Sequence, residues 1–141
     1  MSIRDRVAAA ADCETITRPV PEWDDPETGE KTILELRQFD LDSRIRYSNA
    51  TTKAEGDEMA TAIVFAEMVI HAAFDPETGE PAFTASDVAM LRRKNGATMN
   101  ELAYEILQLN RMIDDAVDEG KDDSSETRSD GDSSDSLPDL A

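Results

Sequence analysis

The sequence predicts an α+β fold that is mainly α-helical: an N-terminal β-hairpin packed on a small helical domain, followed by a disordered acidic C-terminal tail. Three observations predict it. Two Thr-, Ile- and Val-bearing extended segments flank a turn early in the chain. Apolar residues then recur at intervals of three and four through residues 57–74 and 98–117. Residues 118–141 hold almost no apolar side chain and cannot bury enough surface to offset the entropy of ordering them.

In chain order, Ser2 with Asp5 three residues on resembles a capping box, and the Ala-rich run behind it predicts a short helix over residues 3–12 with little burial. Glu14 to Glu22 reads as an extended strand at a sheet edge, because Pro19 cannot donate to a central ladder. Thr32–Arg37 alternates Thr32, Leu34 and Leu36 with Ile33, Glu35 and Arg37, as a half-buried second strand does. Between the strands lies Asp-Pro-Glu-Thr-Gly-Glu at Asp25–Glu30, and the same hexapeptide returns at Asp75–Glu80. Pro fixes the first bend, Asp bonds the backbone two residues on, and Gly accepts the positive φ that closes the reversal. The flanks of the two copies differ, so this is turn reuse and not a repeat architecture.

Asp40 is placed to cap a helix running to Ala54, with Leu41, Ile45 and Tyr47 facing inward. A helix over 57–74 sets Met59, Ile63, Ala66, Ile70 and Ala73 on one stripe, widened by Ala62 and Val69, as the centre of the core. The second hexapeptide joins this helix to a short one begun by Thr84 and Asp87, which buries Val88 and Leu91 and ends at Asn95-Gly96. The last helix, 98–117, carries Met99, Leu102, Ala103, Ile106, Leu109, Asn110, Ile113 and Val117 inward. Residues 1–117 thus form one α+β domain and 118–141 the tail.

Charge and composition narrow the function. The net charge is −18, and nine acidic against two basic residues from Asp118 to Ala141 put −7 of it on the tail, leaving −11 on residues 1–117. Both parts repel a phosphate backbone, so nucleic acid is not an expected partner, and a nucleic-acid mimic would need ordered carboxylates where the densest run reads as disordered. The most apolar stretch, Met59–Phe74, is short for a bilayer and carries Glu67 and His71, so no membrane span is expected. Arg4, Asp5 and Arg6 precede only a brief apolar run, unlike a signal peptide.

Catalytic, cofactor-binding and metal-binding residues are all expected to be absent. His71 is the single histidine and lies one turn from Glu67, an arrangement that is ordinarily a surface contact. Cys13 is the single cysteine and has no nearby His; it reads as a half-buried thiol filling space. The hexapeptides offer too few oxygens for a calcium site. Their Glu-Thr-Gly-Glu core resembles a short Kelch-propeller ligand, but the turn reading accounts for it. There is no phosphate loop, nucleophile elbow or zinc spacing, so the chain is not expected to be an enzyme.

The ordered elements resemble a family, the tail assembly chaperones of long-tailed bacteriophages. The resemblance runs from Ile3 to Val117: Ile-Arg-x-x-Val and the Ala-rich stretch at Ile3–Ala11, then Val-Pro-Glu-Trp at Val20–Trp23, then the strand Ile33–Arg37 with its polar helix. It continues through Phe74-Asp75 and Gly79-Glu80-Pro81-Ala82-Phe83-Thr84, the Asp87-x-x-x-Leu91 step, and Glu101-Leu102 with Ile106–Asn110 in the closing helix. Many members have a tighter Trp-Gly reversal where this chain has its first hexapeptide.

That resemblance implies a chaperone that binds the tape measure protein, keeps it soluble and helps recruit tail tube subunits, in the host cell cytoplasm and absent from the mature virion. The major tail tube protein, a second copy and a longer frameshifted form are further candidate partners; Gly120-Lys121 is a dipeptide that a slippery codon run could encode. Met59, Met68, Met90, Met99 and Met112 offer adaptable apolar contacts for a helical client, although a Met at helical spacing is ordinarily core. The alternative is a small structural tail or head-completion protein of the virion.

Overall fold

The chain is α+β and mainly helical, with a small antiparallel sheet against which the helices pack. The computed structural model describes residues 1–113; the expected tail, Val117 and Gly120-Lys121 lie outside them. Met1–Asn110 forms one compact unit. Its elements are α1 (Ile3–Ala9), β1 (Thr15–Pro19), β2 (Ile33–Arg37), α2 (Leu41–Lys53), α3 (Glu58–Ala72), β3 (Ala73–Phe74), α4 (Val88–Arg92) and α5 (Gly96–Leu109). Short 3-10 turns cover Pro21–Trp23 and Ala85–Asp87.

The hairpin forms as expected, with β1 at the edge and Thr15 to Pro19 registered against Arg37 to Ile33. Leu34 and Leu36 point into the core, while Ile33 stays open to solvent. Arg18 pins β1 to α5: its Nε donates to Glu105 at 2.8 Å and its Nη2 to Glu101 at 3.1 Å. The extended segment is shorter than read from the sequence, because Pro21 starts a helical turn that ends it before Trp23.

A third strand went unread. Ala73 and Phe74 leave the end of α3, pair with Leu36 and Glu35 of β2, and Phe74 bridges to Pro81. The second hexapeptide is therefore a hairpin turn on the sheet and not a plain helix-to-helix junction. The two copies fold alike: Asp25 N–H donates to Glu30 O at 2.9 Å and Asp75 N–H to Glu80 O at 2.8 Å. In each copy the Gly N–H donates back to the Asp carbonyl, and the Asp side chain accepts from the Glu two residues on at 2.8 Å. Gly29 and Gly79 take φ of 76° and 77°, the left-handed conformation the motif requires.

The core is built by α3, which packs on α2, α4, α5 and β2. Its buried face is Val64, Ala66, Met68, Val69 and Ala72, continued by Ala73. The expected stripe is rotated: Met59 is 61% exposed and Ala62 is open, while Val64 and Met68 turn inward. Neighbours on several sides explain this, because a helix covered nearly all round has no single apolar stripe to read. In α2, Asp40 caps as expected, accepting from Ser43 N–H at 2.9 Å, and Tyr47 is buried. Leu41 and Ile45, expected inward, are 70% and 50% exposed. Tyr47 and Ala54 take the inner face instead, with Phe39 stacked on Tyr47 at 4.9 Å between ring centroids.

Asp87 accepts from Thr84 N–H at 2.8 Å and opens the turn into α4, which buries Leu91 and leaves Val88 half-buried. The helix stops at Arg92, and Asn95 begins the next one, accepting from Thr98 N–H at 3.1 Å. Helix α5 buries Met99, Leu102, Ala103 and Ile106 as expected, and also Thr98 and Leu107. It ends at Leu109, short of the expected 117, because the Asn110 side chain turns back to cap it and Arg111 adopts φ 56°. Ile113 is accordingly exposed.

Candidate binding groove

The two hexapeptide turns, far apart in sequence, rim one groove of about 810 Å³. The first turn is held there by Thr32, whose hydroxyl donates to the Trp23 carbonyl at 2.6 Å and whose N–H donates to Asp24 at 2.8 Å. The second is held by Arg37, which lies 3.7 Å from the centre of the Phe74 ring and donates from Nη2 to the Gly79 carbonyl at 3.3 Å. Both anchors start from the outer face of β2 and its approach, so the sheet fixes the width of the groove.

Buried Leu34 and Leu91 are part of its lining, as are Trp23 and Phe83, which touch edge to face with ring centroids 6.2 Å apart. Ile33 and Met90 add apolar surface that is still open to water. The lining carries Glu22, Glu30, Asp75, Glu77 and Glu80 against Lys31 and Lys94. Glu22 is tied down: its own N–H and the Thr98 hydroxyl, at 2.8 Å, hold its carboxyl below the usual range. Lys31 sits 3.5 Å from Asp24. The carboxylates of Glu30, Glu77 and Glu80 make no hydrogen bond or ion pair among the described residues. The result is an apolar trough with an acidic rim, shaped to hold an amphipathic segment by contact and charge.

The residues singled out for chemistry do not converge. His71 and Glu67 share no ion pair; His71 instead lies 3.2 Å from Ser43 Oγ and 3.4 Å from the Tyr47 hydroxyl, with its ring against Phe39 and Tyr47. Burial by those rings, with Arg46 adding to it, pushes the imidazole pKa down. Cys13 is exposed, not half-buried as expected. Among the described residues no three His, Cys, Asp or Glu side chains gather as a metal site, and no helix is long and apolar enough to cross a membrane. Of the methionines, Met68 and Met99 are core and Met59 and Met90 are exposed. Sequence reasoning missed the groove because Trp23, Phe83 and the two turns come together only through the unread strand β3.

The fold is similar to one seen in a tail assembly chaperone. The solved structure it resembles is the bacteriophage HK97 tail assembly chaperone, with a TM-score of 0.53 over 75% of this chain and 95% of that one. At 19% identity this likeness is one of fold. No protein-family model and no curated protein sequence matches the chain.

Proposed function

We propose that this chain acts by binding, as a tail assembly chaperone that holds a phage tape measure protein soluble and helps bring tail tube subunits to it. The observation that carries the reading is the fold shared with the HK97 chaperone across nearly the whole of that protein. The groove supports it. A tape measure protein is a long helical chain with apolar stripes, and a surface trough lined by the Trp23–Phe83 pair, with Ile33 and Met90 exposed, is suited to an apolar helix face. The excess of acidic charge keeps chaperone and client complexes apart in solution. No step of this role needs a nucleophile, a metal or a cofactor. The protein works in the host cell cytoplasm and leaves before the virion is complete.

Co-expression with the long helical product of the same phage tests it. The expected result is that the client moves from the pellet to the soluble fraction and co-purifies with this chain, and that mass spectrometry of purified virions finds none of it. A client equally insoluble with and without the chain, or the chain at structural stoichiometry in particles, overturns the proposal.

A further inference from the structure

Helix α2 turns its two strongest apolar residues outward. Leu41 and Ile45, one turn apart, are 70% and 50% exposed, while Ser43 and Tyr47 on the opposite face reach His71 of α3. A helix whose apolar residues face water runs against its own pattern, and such conflicts between local pattern and fold gather at functional sites. Ser48, Asn49 and Thr52 continue the outer stripe with short polar side chains, which lets a second helix approach closely.

The charge of α2 is inverted as well. In a chain of 32 acidic and 14 basic residues, Leu41–Lys53 holds three basic and one acidic, and that one, Asp42, lies in the first turn where the helix N-terminus favours it. Arg46 and Lys53, two turns apart, form a row along one border of the stripe. Neither makes a hydrogen bond or ion pair among the described residues. The Arg46 guanidinium lies 5.0 Å from the centre of the Tyr47 ring, which orients it. On the other border Arg44 is engaged, donating from Nε to the Asn110 carbonyl at 3.2 Å.

We infer that this face of α2 docks an acidic amphipathic helix of another protein, with apolar side chains on Leu41 and Ile45 and carboxylates against Arg46 and Lys53. Charge complementarity selects that chemistry, and such contacts act well inside the screening length of about 8–10 Å at ordinary salt. No residue of α2 lines the groove, so the inference stands apart from the client reading. The protein then offers two docking faces of opposite sign, an acidic-rimmed groove and a basic-edged helix.

Other occupants fit worse. A second copy paired through α2 sets basic borders against basic borders in either orientation, Arg46 and Lys53 against themselves or against Arg44. An anionic membrane surface repels the chain as a whole at −18. Residues 118–141 have the acidic charge, but their two leucines, Leu137 and Leu140, flank Pro138, which does not suit the interior of a helix.

Backbone amide NMR of the full chain tests it, in titration with a synthetic helical peptide bearing a Leu-x-x-x-Leu face edged by Glu. The same peptide with Lys in place of Glu is the control. The Glu peptide is expected to shift the amides of Leu41–Lys53 and to leave those of Trp23 and Phe83 in place. R46E/K53E weakens its binding by about tenfold or more, and in that variant the Lys peptide gains a site on α2. L41S/I45S abolishes binding at unchanged thermal melting, since both side chains are already exposed. Shifts confined to other elements, or Glu-peptide binding that R46E/K53E leaves unchanged, overturn the inference. So do equal shifts of α2 from rising chain concentration alone, from phosphatidylglycerol vesicles, or from a peptide of residues 118–141, because each names a different occupant.

Discussion

Asn110 does more for this fold than its polarity in an apolar stripe suggests. It is buried, its Nδ2 donates to the Ile106 carbonyl at 2.8 Å, and its Oδ1 accepts from Phe39 N–H at 2.7 Å. One side chain thus caps α5 and ties the start of α2 to it. Gln38 adds a parallel tie from its Nε2 to the Leu109 carbonyl at 2.8 Å. Asn110→Ala leaves the Phe39 N–H buried without a partner, at a cost of about 1–3 kcal/mol, which a lowered urea midpoint with an unchanged slope reads out. Spacing placed Asn110 on the inner face of α5, but its use as a cap was not legible, since the Phe39 backbone lies far away in sequence. His71 gives a second residue-scale test. Its pKa is lowered in the folded chain, so the unfolded chain binds the proton more readily, and stability present above pH of about 6.5 is lost as pH falls below it. Stability measured from pH 8 downward falls for the wild type once the pH drops below about 6.5, and His71→Phe removes that component.

Among the elements, the twin hexapeptide turns were the most legible and their setting the least. Pro, Asp and Gly at fixed offsets dictate the reversal locally, and both copies obey with the same hydrogen bonds. Gly79→Val and Gly29→Val each force a side chain into the left-handed region and cost on the order of 1–2 kcal/mol. Because a Cβ at Gly29 meets nothing and one at Gly79 only brushes Arg37 at 4.0 Å, that penalty is conformational and not a clash. Thermal melts of the two variants are therefore expected to drop alike. Leu36, fully buried on β2 between β1 and β3, is the packing counterpart: Leu36→Ala costs about 2–5 kcal/mol in a urea titration. Strand β3 escaped the sequence because two residues carry no alternation, and Ala73-Phe74 continues the helical spacing of α3. The rotated face of α3 and the exposed Leu41 and Ile45 of α2 have a related cause. Periodicity reports an apolar stripe only when one side of a helix is covered, and these faces are set by tertiary neighbours.

For the whole molecule, the hairpin-on-helices arrangement was readable from order and patterning, and the shared fold with the HK97 chaperone agrees with that reading. The groove was not readable, since its lining joins Trp23 before the first turn to Phe83 after the second, brought into contact through a sheet. Its contents define the central claim, that a helical client is held there by apolar contact and an acidic rim. Trp23 supplies the probe. Titration of the full chain with Trp-free helical fragments of the tape measure protein, followed by Trp23 emission and by co-sedimentation, compares occupancy with binding directly. A blue shift that saturates together with co-sedimentation, and that E77K/E80K abolishes, is the predicted result. Fragments that co-sediment while Trp23 emission stays unchanged would place the client elsewhere and contradict the account.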